Sequence, residues 1–122
     1  MRQGVAMTRQ VLLVEDEPLV RMDAVSLLET TGLEVLEFDR ADDALRYCQD
    51  NVGKVEAVFT DINLRGAMDG IDLAHEVSQA APAAKIVVTS SRYGDRPAGL
   101  PDAATFVRKP WTADDILRSL DL

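Results

Sequence analysis

The sequence predicts an α/β fold, a doubly wound sheet of five parallel strands with helices on both faces. Three observations predict it. Hydrophobic periodicity switches repeatedly along the chain between short apolar runs and helical stripes. The apolar runs are continuous rather than alternating, as in strands covered on both faces. Strand-like and helix-like segments take turns, which requires parallel strands joined by crossovers. Right-handed crossovers then favour a sandwich. In the strand order 2-1-3-4-5, the first and third strands are neighbours at the switch point, where such sheets bind their ligands.

Val11-Leu12-Leu13-Val14 is the first strand. Pro18 follows the acids Glu15-Asp16-Glu17 and suits the first position of a helix with an acidic cap. Val20, Ala24, Leu27 and Leu28 recur at helical spacing, and Gly32 stops the helix. Glu34 to Phe38 is the second strand. Ala41, Ala44, Leu45 and Cys48 mark a second helix that ends near Asn51-Val52-Gly53. Val55 to Thr60 is the third strand, and Asp61 to Gly70 is a loop punctuated by Gly66 and Gly70. Ile71, Ala74, Val77, Ser78 and Ala81 form a third helix, stopped by Pro82. Lys85 to Thr89 is a β-branched fourth strand, and Thr105 to Arg108 the fifth. Between them Gly94, Pro97, Gly99 and Pro101 leave little helical pattern, so the fourth helix is expected to be short or disordered. Thr112 and Asp115 have capping-box spacing ahead of a last stripe of Ala113, Ile116, Leu117 and Leu120. Residues 1–9 read as a disordered lead-in and 10–122 as one domain.

A chain of 122 residues is long enough for one buried core. Its formal charge of -8 repels nucleic acid and anionic membrane surfaces and favours a basic partner or a cation. The single cysteine, Cys48, excludes an intrachain disulfide. No apolar run approaches the ~20 residues of a membrane span, and the N-terminus lacks the apolar region of a signal peptide. A cytoplasmic protein is expected.

Candidate site residues are those at the carboxyl ends of the strands. They are Glu15-Asp16-Glu17, Asp61, Thr89-Ser90-Ser91 and Arg108-Lys109-Pro110. Clustered carboxylates need a cation or a raised pKa. Oxygen ligands with open positions suit Mg²⁺, which keeps waters and binds phosphate oxygens. A carboxylate can attack phosphorus, while a metal, an ammonium and a hydroxyl neutralise the equatorial oxygens. Singly, each residue has a plainer reading. The acids serve as helix caps, Lys109 is a solvated side chain and Ser90 a turn residue. Their joint placement at four strand ends favours the chemical reading.

In these residues the sequence resembles the receiver domain of two-component response regulators, which has a flavodoxin-like fold. The resemblance is carried by Val11 to Pro18, Thr60-Asp61-Ile62-Asn63, Met68-Asp69-Gly70, Val88-Thr89-Ser90 and Lys109-Pro110. It implies that Asp61 is the phosphoacceptor and that Asp16 binds Mg²⁺ directly. Glu15 is the second pocket acid, acting through a metal-bound water, and Asn63 offers its backbone carbonyl. Ser90 is the switch hydroxyl, Lys109 pairs with a phosphoryl oxygen, and Phe106 is the aromatic that changes rotamer. The Lys109-Pro110 peptide is expected to be cis. Asn63 and Arg92 occupy positions that tune phosphate lifetime.

The sequence departs from the family pattern in five places. Glu15 stands where Asp is commoner. Arg65 stands where Pro is frequent, in a loop about one residue longer than usual. Thr89 precedes Ser90 and offers a second hydroxyl. Trp111 replaces a smaller aromatic. The segment between Ser90 and Thr105 lacks the usual helix, which puts the usual output surface in doubt.

The resemblance implies transfer of phosphate from a histidine kinase or histidine phosphotransfer protein, in a Mg²⁺-dependent reaction that switches binding of a downstream protein. No enzyme acting on an external substrate is expected, and no nucleic-acid or membrane partner. The chain stops soon after its last helix, so a stand-alone receiver is expected. Three rivals remain. A haloacid-dehalogenase-like phosphatase needs a general-acid Asp where Asn63 stands. An FMN carrier needs a phosphate-binding loop where Glu15-Asp16-Glu17 would repel phosphate. A pseudo-receiver would act by protein contacts alone. His75 and Cys48 read as a surface and a packing residue.

Overall fold

The computed structural model describes residues 9–91 and 94–120. Most of the lead-in expected over 1–9, and Arg92, lie outside the described residues. The elements are β1 (Gln10–Val14), α1 (Pro18–Glu29), β2 (Glu34–Phe38), α2 (Ala41–Asp50), a 3-10 turn (Val52–Lys54), β3 (Val55–Asp61), α3 (Gly70–Ala80), β4 (Lys85–Ser90), β5 (Ala104–Arg108) and α4 (Ala113–Ser119). The five strands form one sheet in the order β2-β1-β3-β4-β5, and every pairing is parallel.

Successive strand side chains point to opposite faces, and two hydrophobic clusters divide along that alternation. Leu12, Val14, Val58, Ile86 and Val88 face Ala44 and Cys48 of α2 and Leu73, Ala74 and Val77 of α3. Val11, Leu13, Ala57, Phe59 and Val87 face Ala24 and Leu28 of α1, Ile116 of the last helix and Leu120 at its C-cap. β1 is buried at all five positions, which explains its continuous apolar run, whereas the edge strand β2 has no fully buried residue, with Glu34 and Glu37 exposed and Val35, Leu36 and Phe38 half-buried.

The described residues between β4 and β5 contain turns and bends but no helix, as the glycines and prolines there predict. Leu100, 7% exposed, covers the α2/α3 face of the sheet at the far end from β2. Arg96 donates to the carbonyls of Pro101 and Ala104, Arg108 donates to Gly94 O, and His75 Nε2 bonds Gly99 O. The backbone groups that a helix would satisfy internally are here partly satisfied by arginine side chains.

Two caps differ from expectation. The acids before α1 do not cap it through their side chains: the Glu17 side chain at the N-cap makes no capping bond, and Glu15 Oε2 accepts the Glu17 N–H at 3.2 Å. Instead α3 begins at Gly70 behind a complete capping box, Asp69 with Asp72, which the sequence reading did not identify. The expected box of Thr112 with Asp115 is present, with both hydrogen bonds made.

Candidate functional site

The local folding of four strand ends builds the site. Glu15 and Asp16 follow β1, Asp61 is the last residue of β3, Ser90 the last of β4, and Lys109 follows β5. β1 and β3 are neighbours, with Val14 opposite Thr60, so the acids after them are brought together. Backbone bonds hold these ends in place. Glu15 N donates to Phe38 O at 3.0 Å, Ile62 N to Thr89 O at 3.0 Å, and Lys109 N to Ser90 O at 3.2 Å. The Lys109-Pro110 peptide is cis, as expected.

Lys109 reaches over the sheet to two carboxylates. Its Nζ lies 2.8 Å from Glu15 Oε1 and 3.5 Å from Asp61 Oδ1. The Glu15 side chain is only 2% exposed, and those of Asp61 and Lys109 are 11% and 16% exposed. Arg21 Nη1 donates to Glu15 O at 2.7 Å and fixes the backbone of the buried acid. The Asp16 carboxylate points toward the loop after β3, where Oδ2 accepts the Arg65 N–H at 3.0 Å. Glu15, Asp16, Asp61, Asn63, Arg65, Ser91 and Lys109 line one open cleft of about 500 Å³.

The electrostatics follow from that crowding. Burial, with the Glu15 charge adding to it, pushes the Asp61 carboxyl up to about 6, against the opposing pull of Lys109 and the Ile62 N–H. The Lys109 ammonium meets two carboxylates, Glu15 and Asp61, and Asp16, Glu17 and Arg65 also line the cleft, so a surplus of negative charge remains that suits a divalent cation. The donor set is all oxygen, as Mg²⁺ requires. Among the described residues no three acidic, histidine or cysteine side chains converge into a ready-made metal cage. A hard ion that keeps several waters needs only one or two carboxylates, which Asp16 and Asp61 supply. The residues present therefore fit such an ion.

Of the sequence-predicted residues, the structure brings together Glu15, Asp16, Asp61, Asn63 and Lys109. Ser90 and Phe106 are not among the residues that line the cleft. By strand alternation Ser90 shares a sheet face with Val88, the partner of Phe106, and Phe106 packs on that same face. Thr89 pairs with Asp61 across the strands and points, like Val87, to the other face. Its hydroxyl is buried without a hydrogen-bond partner.

Ser91, grouped with Thr89 and Ser90 among the sequence candidates, also belongs to the site, and two packing features escaped sequence reasoning. Ser91 lines the cleft, as the first residue after β4. Trp111 packs edge-on against Phe59, with ring centroids 5.0 Å apart, and its ring centroid lies 5.7 Å from Lys109 Nζ. Gly70 lies so close to β3 that a Cβ there would overlap the Asp61 carbonyl, while its own N–H bonds Ile62 O. The Met68-Asp69-Gly70 triplet signals the last of these. A second groove, about 660 Å³ and lined by Val20, Leu27, Pro110 and Trp111, adjoins the cleft through Ser91 and Lys109.

Comparison with known proteins gives a consistent result. Residues 11–121 match the response regulator receiver domain. The transcriptional regulatory protein PdtaR of Mycobacterium tuberculosis is 30% identical over 96% of this chain. The chain spans 57% of that relative's length. The sensor kinase CckA of Brucella abortus is 36% identical over 66% of this chain, which corresponds to 8% of the kinase. A response regulator receiver domain protein from Clostridium thermocellum superimposes with a TM-score of 0.81 at 25% identity, covering 93% of this chain and 91% of that one. Among the described residues no helix is long and apolar enough to cross a membrane. With its five-stranded 2-1-3-4-5 sheet and its acid-lysine cleft at the strand ends, the chain belongs to the response regulator receiver domain family of two-component signalling.

Proposed function

We propose that Asp61 accepts a phosphoryl group from the phosphohistidine of a histidine kinase or histidine phosphotransfer protein, and that the product switches binding of a downstream protein. The observation that carries this reading is the Lys109 ammonium held between buried Glu15 and the reactive Asp61 at the open end of the sheet. An ionised Asp61 oxygen attacks phosphorus in line. The P–N bond breaks, and the leaving imidazole keeps the electron pair and takes up a proton. Lys109 then pairs with a phosphoryl oxygen, the charge it already offers Asp61 in the resting state. Bound Mg²⁺ would supply further positive charge to the phosphoryl oxygens; Asp16, Asp61 and the Asn63 carbonyl would hold it, with Glu15 reaching through water.

Ser90 is the hydroxyl that turns to the phosphoryl group, and Phe106 moves into the space it leaves. Their shared sheet face supports this pairing, because a shift of Ser90 is felt by Phe106 through Val88 on the same face. This is a population shift driven by contacts made only in the phosphorylated state. Replacing Ser90 by Ala uncouples Phe106 from phosphorylation, whereas Thr89→Val leaves the coupling intact. Aromatic ring NMR of Phe106 reads the difference, and the reverse pattern transfers the role to Thr89.

The reaction is stoichiometric. Asn63 supplies no general acid two residues after Asp61, so no turnover of p-nitrophenyl phosphate is expected, and sustained turnover would favour a phosphatase. The main test is treatment with acetyl phosphate and Mg²⁺ followed by intact mass. Wild type gains one phosphoryl group and Asp61→Ala gains none; equal labelling overturns the assignment. Asp16→Asn should also abolish Mg²⁺-dependent quenching of Trp111 fluorescence, and unchanged quenching counts against Asp16 as a ligand.

A further inference from the structure

We propose that Arg65 is a second cation of the phosphoryl site, a tethered guanidinium that opposes divalent-cation binding at rest and favours the bound phosphoryl anion. The inference rests on the reading of Asp61 and Asp16 given above and adds a residue to it. Arg65 is tied to the site twice through one oxygen. Its backbone N–H donates to Asp16 Oδ2 at 3.0 Å, and its Nε lies 3.8 Å from that same oxygen. The side chain is 78% exposed, so it is held loosely and can swing across the cleft that it lines together with Asp61, Asn63 and Lys109. Gly66 follows it with positive φ, at 103°, and turns the loop with open space where a Cβ would stand.

Charge gives this position its meaning. Among the described residues, Lys109 and Arg65 are the cations lining the cleft. At rest the Lys109 ammonium is shared between Glu15 and Asp61. A phosphoryl group brings ~2 negative charges into that space, more than a shared ammonium matches. A guanidinium is a planar fork that pairs with phosphoryl oxygens in bidentate fashion. The same positive charge beside Asp16 repels a metal ion in the resting protein. One side chain therefore acts with opposite sign on the two ligands: it weakens the cation and strengthens the anion. A residue that only shaped the loop would move both affinities together.

Calorimetric titration with Mg²⁺ alone, and with beryllofluoride in saturating Mg²⁺ as the phosphoryl mimic, tests this. In Arg65→Gln the Kd for Mg²⁺ should fall roughly two- to fivefold, the range of an exposed ion pair, while the Kd for beryllofluoride rises by a similar factor. Arg65→Lys keeps the charge, so its Mg²⁺ affinity stays at the wild-type value and its beryllofluoride affinity falls between the other two proteins. Shifts in the same direction, or no shift in Arg65→Gln, overturn the role of Arg65. Failure of the wild type to bind Mg²⁺ strikes the phosphoacceptor reading itself and removes this inference with it.

Discussion

Lys109 and Asp61 set the properties of the site, and each carries a measurable electrostatic signature. Removing the Lys109 ammonium leaves Glu15 charged and buried without its partner at 2.8 Å. Breaking a buried pair in this way is costly. Lys109→Ala should lose roughly 3 kcal/mol in urea unfolding, at the low end of that range because the lysine keeps some exposure. Asp61 gives the opposite sign. Its carboxyl has an ordinary value of 3.8 and is pushed up to about 6 by burial and by Glu15. The metal-free folded protein thus holds the proton more tightly than the unfolded chain. The resulting stabilisation is complete below the unfolded value and is lost as pH rises through the folded one. Asp61→Asn should therefore stabilise the metal-free protein by about 2 kcal/mol near neutral pH and by almost nothing below about pH 4. At this scale Glu15, Asp16, Asp61 and Lys109 were legible because each sits at or just after a strand end. That Lys109 pairs more closely with Glu15 than with Asp61 was not legible, because it depends on how a long side chain crosses from β5 toward β1 over the intervening strands.

At the scale of elements, short-range signals decide where each segment starts and how tightly it approaches its neighbours. The Asp69–Asp72 box and the close passage of Gly70 under the Asp61 carbonyl fix α3 against β3. Any side chain at position 70 must push that backbone aside. Gly70→Ala should displace the Asp61 loop and lower both stability and phosphoryl acceptance, visible as chemical-shift changes centred on Asp61 and Ile62. A mutant with wild-type shifts there would mean that the contact is slack. The last helix depends on its Thr112 cap, and Thr112→Ala should cost about 1 kcal/mol. That cap was legible from spacing alone. The one on α3 was overlooked because its Asp-x-x-Asp pattern departs from the Ser/Thr-x-x-Glu form. The acids before α1 matched a cap signal and yet do not cap, because Glu15 turns inward to Lys109 and Asp16 toward Arg65. The helix-poor connection before β5 was anticipated from its glycines and prolines. The way it is held, by Leu100 packing and by Arg96 and Arg108 bonding carbonyls, involves contacts that no local pattern encodes.

For the whole molecule, the parallel sheet followed from the alternation of strands and helices, and the two-sided core from the continuous apolar runs. The site followed because parallel strands deliver all their carboxyl ends to one edge. What the sequence left open was lateral. It did not resolve which of two adjacent hydroxyls serves the site, what Arg65 touches, or where Trp111 packs. These depend on register and on side-chain reach rather than on periodicity. The central claim is that the convergence of β1, β3 and β5 makes Asp61 the acceptor. Its most direct test is to treat the protein with acetyl phosphate and Mg²⁺, trap the acyl phosphate by borohydride reduction and map the product by peptide mass spectrometry. The account predicts reduction to the alcohol at position 61, dependent on Mg²⁺ and absent without the phosphodonor. Modification at another acid or at His75, with position 61 unchanged, would contradict it.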